Sequence, residues 1–258
     1  MISPVLDSFL RHQILRKQTK VPQNGRPGPL VRKPFNTVLA KRLFDIVVSG
    51  SALFFLSWLF GLVALMVLVD SPGPVFYRQI RVGQNRRYRD RRRERIPVGL
   101  EQRAAERRRI LAEGRLFWIH KFRTMIVDAE HGMGPVWALK DDPRATRVGK
   151  WLRKLRLDEL PQLWNVLRGQ MSLVGPRPER PHFVGHFAVR IPNYVERLRV
   201  PPGITGLAQV ERSYDACEED VRHKLSYDLT YIRNLCLSQD FRILFRTVQV
   251  VLGRKGAH

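Results

Sequence analysis

Two adjacent carboxylates, Asp158 and Glu159, are the residues of this 258-residue chain best suited to chemistry by type and spacing. A carboxylate is already ionised at neutral pH and acts as a nucleophile without a general base. The pair opens a segment, 158–167, whose Leu160, Leu163, Trp164 and Leu167 recur as a helical stripe. Its Pro161 falls in the first turn, where proline is tolerated. Asp158 is then the expected N-cap, and the free N–H groups and positive dipole end favour a phosphate there. The plain alternative is that Asp158 only caps and Glu159 only complements the dipole.

Cations follow the same logic. Arg177 stands in Gly175-Pro176-Arg177-Pro178-Glu179, where two prolines restrict the backbone and a held guanidinium can clamp a phosphate through paired hydrogen bonds. Lys121 and Arg123 alternate at the end of an expected strand, which puts both on one face and suits a diphosphate. Asp141-Asp142-Pro143 offers oxygen ligands to Mg²⁺, although acids before proline are commoner in turns. His182 and His186 are four residues apart with no third ligand nearby, and read as ordinary side chains. No P-loop, Rossmann fingerprint, zinc-type cysteine cluster or nucleophile elbow is present.

These residues need elements to position them. Residues 46–69 carry no charge and are long enough, at about 1.5 Å per residue, to cross the roughly 30 Å core of a bilayer. Basic residues flank the run on both sides, Lys41 and Arg42 before it and Arg78, Arg81, Arg86 and Arg87 after it. The positive-inside rule draws both flanks to the cytoplasmic face, which requires a re-entrant helix. Ser57 and Gly61 lie where its break would fall, but no proline does, so re-entrant and spanning forms both stand. Asp70-Ser71-Pro72-Gly73-Pro74 ends the run, and Val75-Phe76-Tyr77 suits a short strand. Residues 116–119 read as a strand, 147–157 as a helix, 175–181 and 201–206 as loops. Residues 240–252 read as a basic amphipathic helix, suited equally to a membrane interface and to packing on the core.

Composition narrows the partners. Forty-six Lys and Arg against 23 Asp and Glu give a net charge of +23, so the chain seeks anions: nucleic acid, an anionic membrane or phosphorylated substrates. Residues 1–40 form a basic arm broken by Pro22, Pro27, Pro29 and Pro34. Residues 86–116 are a second arginine-rich block, with helical composition over 100–111. The arginine-rich block does not interleave aromatics as a nucleic-acid module does, which weighs against RNA. Cys217 and Cys236 supply no disulfide framework, pointing to a reducing compartment.

Taken in order, Lys41-Arg42-Leu43-Phe44-Asp45, Asp70-Ser71-Pro72-Gly73-Pro74-Val75-Phe76, Lys121-Phe122-Arg123-Thr124-Met125, Leu157-Asp158-Glu159-Leu160-Pro161-Gln162-Leu163-Trp164-Asn165-Val166, the run 171–179 and the run 202–210 resemble the bacterial sugar transferases, the monotopic phosphoglycosyl transferases. The resemblance covers about 41–252. It implies an α+β, mainly helical domain over 41–258, anchored by a re-entrant or spanning helix at 44–69, with interfacial amphipathic helices and an insertion at 86–116. It implies transfer of a sugar phosphate from a UDP-sugar to undecaprenyl phosphate, with Asp158 as nucleophile and UMP released. By the same matching, Asp158 and Glu159 hold Mg²⁺, Arg153 and Arg177 bind phosphate, and Lys121 and Arg123 line the site. The implied place is the cytoplasmic face of the inner membrane, in exopolysaccharide, O-antigen or glycan assembly. Two features depart from the pattern: Trp58 follows Ser57 where many members carry proline, and residues 86–116 replace a short turn. The chain resembles the compact form of the family. The rival reading is a basic membrane scaffold without catalysis.

Overall fold

A computed structural model of the chain describes residues 35–85, 114–127, 129, 142–211 and 218–253. Most of the expected arm at 1–40, nearly all of the block at 86–116, Asp141 and Cys217 lie outside the described residues. The described part is mainly helical, with two small two-stranded sheets.

The apolar run is not one helix over 44–69. Helix α1 (Phe35–Phe55) starts directly after Pro34, so residues 35–40 are helical rather than part of an irregular arm. Helix α2 (Ser57–Asp70) follows, and the two meet at 61°. No single helix among the described residues is long and apolar enough to cross a membrane; the bent pair together passes that test. Leu56 sits at the break with φ −93° and ψ 6°, in the sparsely allowed bridge region. The break has no proline or glycine behind it. Each limb instead docks on a different part of the domain, and Leu56 absorbs the mismatch.

The α1 limb docks through polar groups spaced four apart. Lys41, Asp45 and Ser49 are buried, on one face of the helix. Ser49 bonds back to the Asp45 carbonyl, while Lys41 and Asp45 meet strand β3 (Ser172–Val174) and Lys41 also meets helix α8 (Leu237–Leu252). Lys41 donates to the Val174 carbonyl at 3.0 Å and to Asp240 Oδ2 at 2.6 Å, and Asp45 Oδ1 accepts from Leu173 N at 3.0 Å. Arg42 donates to the carbonyls of Val166 and Leu167, closing the end of helix α4 (Gln162–Leu167). The two basic residues read as membrane-flanking charges are therefore fastenings of the helix to the domain.

The α2 limb docks through apolar groups. Val63 and Val67 are buried with Phe122 of β2 (Leu116–Phe122) and Leu152 of α3 (Arg147–Lys154), and Leu157 and Leu160 close the cluster. Asp70, at the end of α2, accepts from Val148 N at 2.9 Å, and Thr146 accepts from Gly149 N, so two side chains cap α3. Gly149 packs on the Thr124 backbone so closely that an added Cβ would lie 2.1 Å from its carbonyl oxygen.

Strand β1 (Phe76–Val82) pairs antiparallel with β2 in full register, from Phe76 opposite Phe122 to Val82 opposite Leu116. The arginine-rich block thus lies between paired strands. The loop expected at 175–181 follows β3; the loop expected at 201–206 is corrected, because β4 (Gly203–Thr205) lies within it and runs parallel to β3. Helices α5 (Pro181–Arg190), α6 (Leu207–Glu211) and α7 (Glu218–Arg233) complete the described part.

Candidate active site

The chain leaves α3 through Arg156, whose φ of 57° is the left-handed region, and enters a single 3₁₀ turn, Leu157–Glu159. Leu157 goes into the core, and Asp158 and Glu159 are each 6% exposed. Helix α4 begins only at Gln162, with Pro161 before it and no side-chain cap. The expectation that Asp158 caps a helix starting at 158 is corrected: the turn frees its carboxylate from that duty.

Lys121 reaches the pair from β2. Its Nζ lies 2.9 Å from Glu159 Oε1 and 3.7 Å from Asp158 Oδ2. Arg177 reaches the same Glu159 oxygen at 2.9 Å, from the loop after β3. That loop is set by close backbone approach: Gly175 N donates to Thr205 O and Gly203 N to Pro176 O, each at 2.9 Å. A Cβ on Gly203 would lie 2.1 Å from Gly175 N. Beneath it, buried Arg197 donates to the Arg177 carbonyl at 3.0 Å and to Tyr194 Oη at 2.8 Å, and pairs with Asp228 at 2.9 Å. Burial pushes the Asp228 carboxyl up to about 6, while Arg197 pulls it the other way.

The two carboxylates are electrostatically unlike. Burial pushes the Glu159 carboxyl up, but the Arg177 guanidinium and the Lys121 ammonium outweigh it and hold it well below the usual range. Glu159 in turn raises the Arg177 pKa. Burial also pushes Asp158 up; Lys121 opposes this, and the neighbouring Glu159 charge adds to it. Asp158 accepts no hydrogen bond among the described residues; its nearest cation is the 3.7 Å ammonium. Glu159 is thus a fixed anion that holds two cations in place, and Asp158 is a buried carboxylate left open.

The other expected residues divide. Arg153 donates to Thr124 Oγ1 at 2.9 Å and its charge favours ionised Asp158. Arg123 does not share a face with Lys121. The strand ends at Phe122, and the Arg123 guanidinium binds the carbonyls of Ser71 and Pro72, fixing the turn after α2. Asp142 is taken by Arg144, which donates to its two oxygens at 2.8 and 2.6 Å. His186 meets Arg190 at 2.8 Å on α5. Arg156, whose charge lowers both site carboxyls, escaped the sequence reading; its place directly before Leu157-Asp158-Glu159 was the available signal.

No three His, Cys, Asp or Glu side chains gather as a metal cage among the described residues. Mg²⁺ commonly takes one or two carboxylates and fills its octahedron with water and substrate phosphate. An open carboxylate beside a second one, with cations able to meet phosphate, fits that donor set.

A model of the bacterial sugar transferase family matches residues 36–90 and 101–254. The chain is 39% identical over 230 residues to the UDP-N-acetylgalactosamine-undecaprenyl-phosphate N-acetylgalactosaminephosphotransferase of Aeromonas hydrophila, covering 89% of this chain and 47% of that one. It is 37% identical over 261 residues to the UDP-glucose:undecaprenyl-phosphate glucose-1-phosphate transferase of Xanthomonas campestris pv. campestris, covering 100% of this chain and 48% of that one. It spans about half the length of these two relatives. An exopolysaccharide production protein of Rhizobium leguminosarum bv. phaseoli is 36% identical over 225 residues, 84% of this chain and 97% of that one. With the match running through the bent helix pair, the carboxylate turn and the Arg177 loop alike, this chain belongs to the bacterial sugar transferase family.

Proposed function

We propose that the protein transfers a sugar phosphate from a UDP-sugar to undecaprenyl phosphate through a covalent phosphosugar on Asp158. The observation that carries this reading is the asymmetry of the pair: Glu159 is locked by two cations, and the buried Asp158 carboxylate has no hydrogen bond from the described residues to give up before attack. In the first step a carboxylate oxygen of Asp158 bonds to the phosphorus that bears the sugar. The bond from that phosphorus to the bridging oxygen breaks, and UMP leaves with the electron pair. In the second step a phosphate oxygen of the lipid attacks the same phosphorus, the bond to Asp158 breaks, and the carboxylate returns. Neither step needs a proton removed from the nucleophile. Lys121, Arg153 and Arg177 face the negative charge that the diphosphate brings, in a site where partial burial strengthens each interaction. Mg²⁺, held by Asp158 and Glu159, would supply further neutralisation of the diphosphate when bound. Relatives named as UDP-sugar and undecaprenyl-phosphate transferases support the donor and the acceptor.

The acceptor is a lipid, and the bent pair suits a site at the bilayer surface. Phe54, Phe55 and Trp58, beside the break, are 75, 70 and 66% exposed. An apolar apex of this kind is stable in hydrocarbon. Helix α2 has 14 residues, about 21 Å, short of the roughly 30 Å bilayer core. The reading is a re-entrant hairpin that dips into the cytoplasmic leaflet of the inner membrane and returns. Phe241, Phe245 and Val248, exposed on α8, would rest in the same interface.

The test is UMP release from a panel of UDP-sugars with undecaprenyl phosphate and Mg²⁺. Wild type releases UMP with one donor, and Asp158→Asn releases none. Equal release by the variant removes Asp158 as nucleophile; no release from any donor by wild type favours a scaffold. Cysteines introduced at Asn36 and Arg78 should be labelled from the same side of the membrane, and labelling from opposite sides overturns the hairpin.

A further inference from the structure

Two hollows among the described residues lie away from the carboxylate pair. A groove of about 360 Å³ opens on the other face of β2, lined by Arg78, Trp118, His120, Arg168 and Gln170. A second hollow of about 320 Å³ shares Arg168 and Gln170 with it and adds Arg115. Alternation along β2 separates groove from site: Lys121 points to Glu159, and its neighbour His120 points to the groove. In register, Arg78 stands opposite His120.

Three features mark this as a built anion site. The first is charge. No acidic side chain among the described residues pairs with Arg78, Arg115 or Arg168, whereas Arg81, Arg144, Arg177, Arg197 and Arg246 each have a carboxylate partner. The second is a preset floor. Asn165 is fully buried. Its Nδ2 donates to the Trp118 carbonyl at 2.7 Å, and its Oδ1 accepts from His120 N at 3.2 Å. These two main-chain partners fix which end of the carboxamide is which. Nδ2 then also donates to Gln170 Oε1 at 2.8 Å, which leaves the Gln170 –NH₂ free to donate to a ligand. The Oδ1 atom, 3.2 Å from His120 Nδ1, can only accept, so Nδ1 carries a hydrogen and Nε2 is left for the groove. The third is the turn at Gly169, with φ of 70°, which sets Arg168 and Gln170 on either side of the left-handed residue. An added Cβ at Gly169 would press on the Arg42 guanidinium that closes α4.

The rim is apolar. Trp118 is 54% exposed, Ile80 lies opposite it in the hairpin, and Leu116 follows on the same face. Guanidiniums above a donor floor with an indole beside them suit a phosphate ester carried on a ring or an apolar body. We propose that this groove is a second, non-catalytic binding site for a phosphate ester. The same chemistry has two sources, the headgroup of an anionic phospholipid and a soluble nucleotide.

Native mass spectrometry of the detergent-purified full chain separates them. The probes are phosphatidylglycerol, phosphatidylcholine of the same acyl chains, and UMP; the protein is compared with Arg78→Gln/Arg168→Gln. Loss of two charge-assisted contacts should weaken one bound phosphate ester at least about tenfold. A weakened phosphatidylglycerol with unchanged UMP identifies the lipid, and a weakened UMP with unchanged phosphatidylglycerol identifies the nucleotide. Phosphatidylcholine should not distinguish the two proteins. Lys150→Gln/Lys154→Gln removes two exposed charges elsewhere and should leave the titrations unchanged. Identical titrations of wild type and the arginine variant overturn the site, as does an equal loss in the lysine variant. Should the double variant melt early, Arg78→Gln alone, on the exposed strand face, carries the same comparison with an expected weakening of about threefold or more.

Discussion

Two buried carboxylates, Asp158 and Asp240, have nearly the same neighbours and opposite fates. Both lie near a lysine, and burial pushes both carboxyls up while the lysine pulls them down. Asp240 receives Lys41 at 2.6 Å on one oxygen and Tyr231 Oη at 2.8 Å on the other, so both of its oxygens are occupied. Asp158 has an ammonium at 3.7 Å and no hydrogen bond among the described residues. The first arrangement is a fastening between α1 and α8. The second leaves a charged group poorly compensated, which is what a nucleophile or a metal ligand requires. Charge and burial do not separate scaffold from site in this fold; the state of the carboxylate's lone pairs does.

Substitutions can break this contrast. Asp158→Asn should lower turnover by at least about 10⁴-fold, roughly 5 kcal/mol of barrier, measured as UMP release. Next comes Arg177→Gln, which leaves Glu159 with Lys121 alone. It should cost about 10²- to 10³-fold in kcat/KM for the donor. At the fastening, Lys41→Met should cost about 3–5 kcal/mol of stability, because Asp240 stays buried without its cation. Lys41→Met/Asp240→Leu should recover most of that loss in a denaturant titration. A failure to recover would mean that Lys41 acts mainly through the Val174 carbonyl.

Asp142 sharpens the contrast from the satisfied side. Hydrogen bonds from the Arg144 guanidinium hold its carboxyl at about 2, below its value in an unfolded chain. A lowered folded pKa contributes stability at neutral pH that disappears as pH falls from about 4 to about 2, worth about 2 kcal/mol. Asp142→Asn should lose that amount at neutral pH and show no further loss across the window. The smallest effect is expected from Asp158→Asn on stability. Removing a buried charge that burial disfavours should raise stability by about 1 kcal/mol while activity vanishes.

Much of the site was legible because its residues are close in sequence or carry unusual types. Asp158-Glu159 and the proline-bracketed Arg177 announce themselves, and Lys121 falls on a recognisable strand. The bond between Lys121 and Glu159 joins residues 38 apart, which periodicity does not reveal. Arg123 misled because alternation holds only while the strand continues, and pairing stops at Phe122. The break at Leu56 was unreadable for a related reason. Leucine is a strong helix former, and the bend comes from where Val63 and Lys41 dock rather than from the residue that bends. Strands of three residues beside glycines, such as β3 and β4, carry too short a pattern to be seen. Asn165, in the middle of an amphipathic stripe, looks like a polar interruption until its partners at 118, 120 and 170 are known.

The roots of the arginine-rich block are tied independently of what lies between them. Gly83 N donates to Arg115 O at 2.9 Å, and Asn85 N donates to Leu198 O at 2.8 Å. The entropic cost of closing a loop grows only with the logarithm of its length. The hairpin therefore acts as a socket: its pairing and the reach of Lys121 are indifferent to the passenger it carries. A tight turn, a reporter domain or an affinity handle spliced between Asn85 and Gly114 becomes a practical route to instrumenting the protein without disturbing the carboxylate turn.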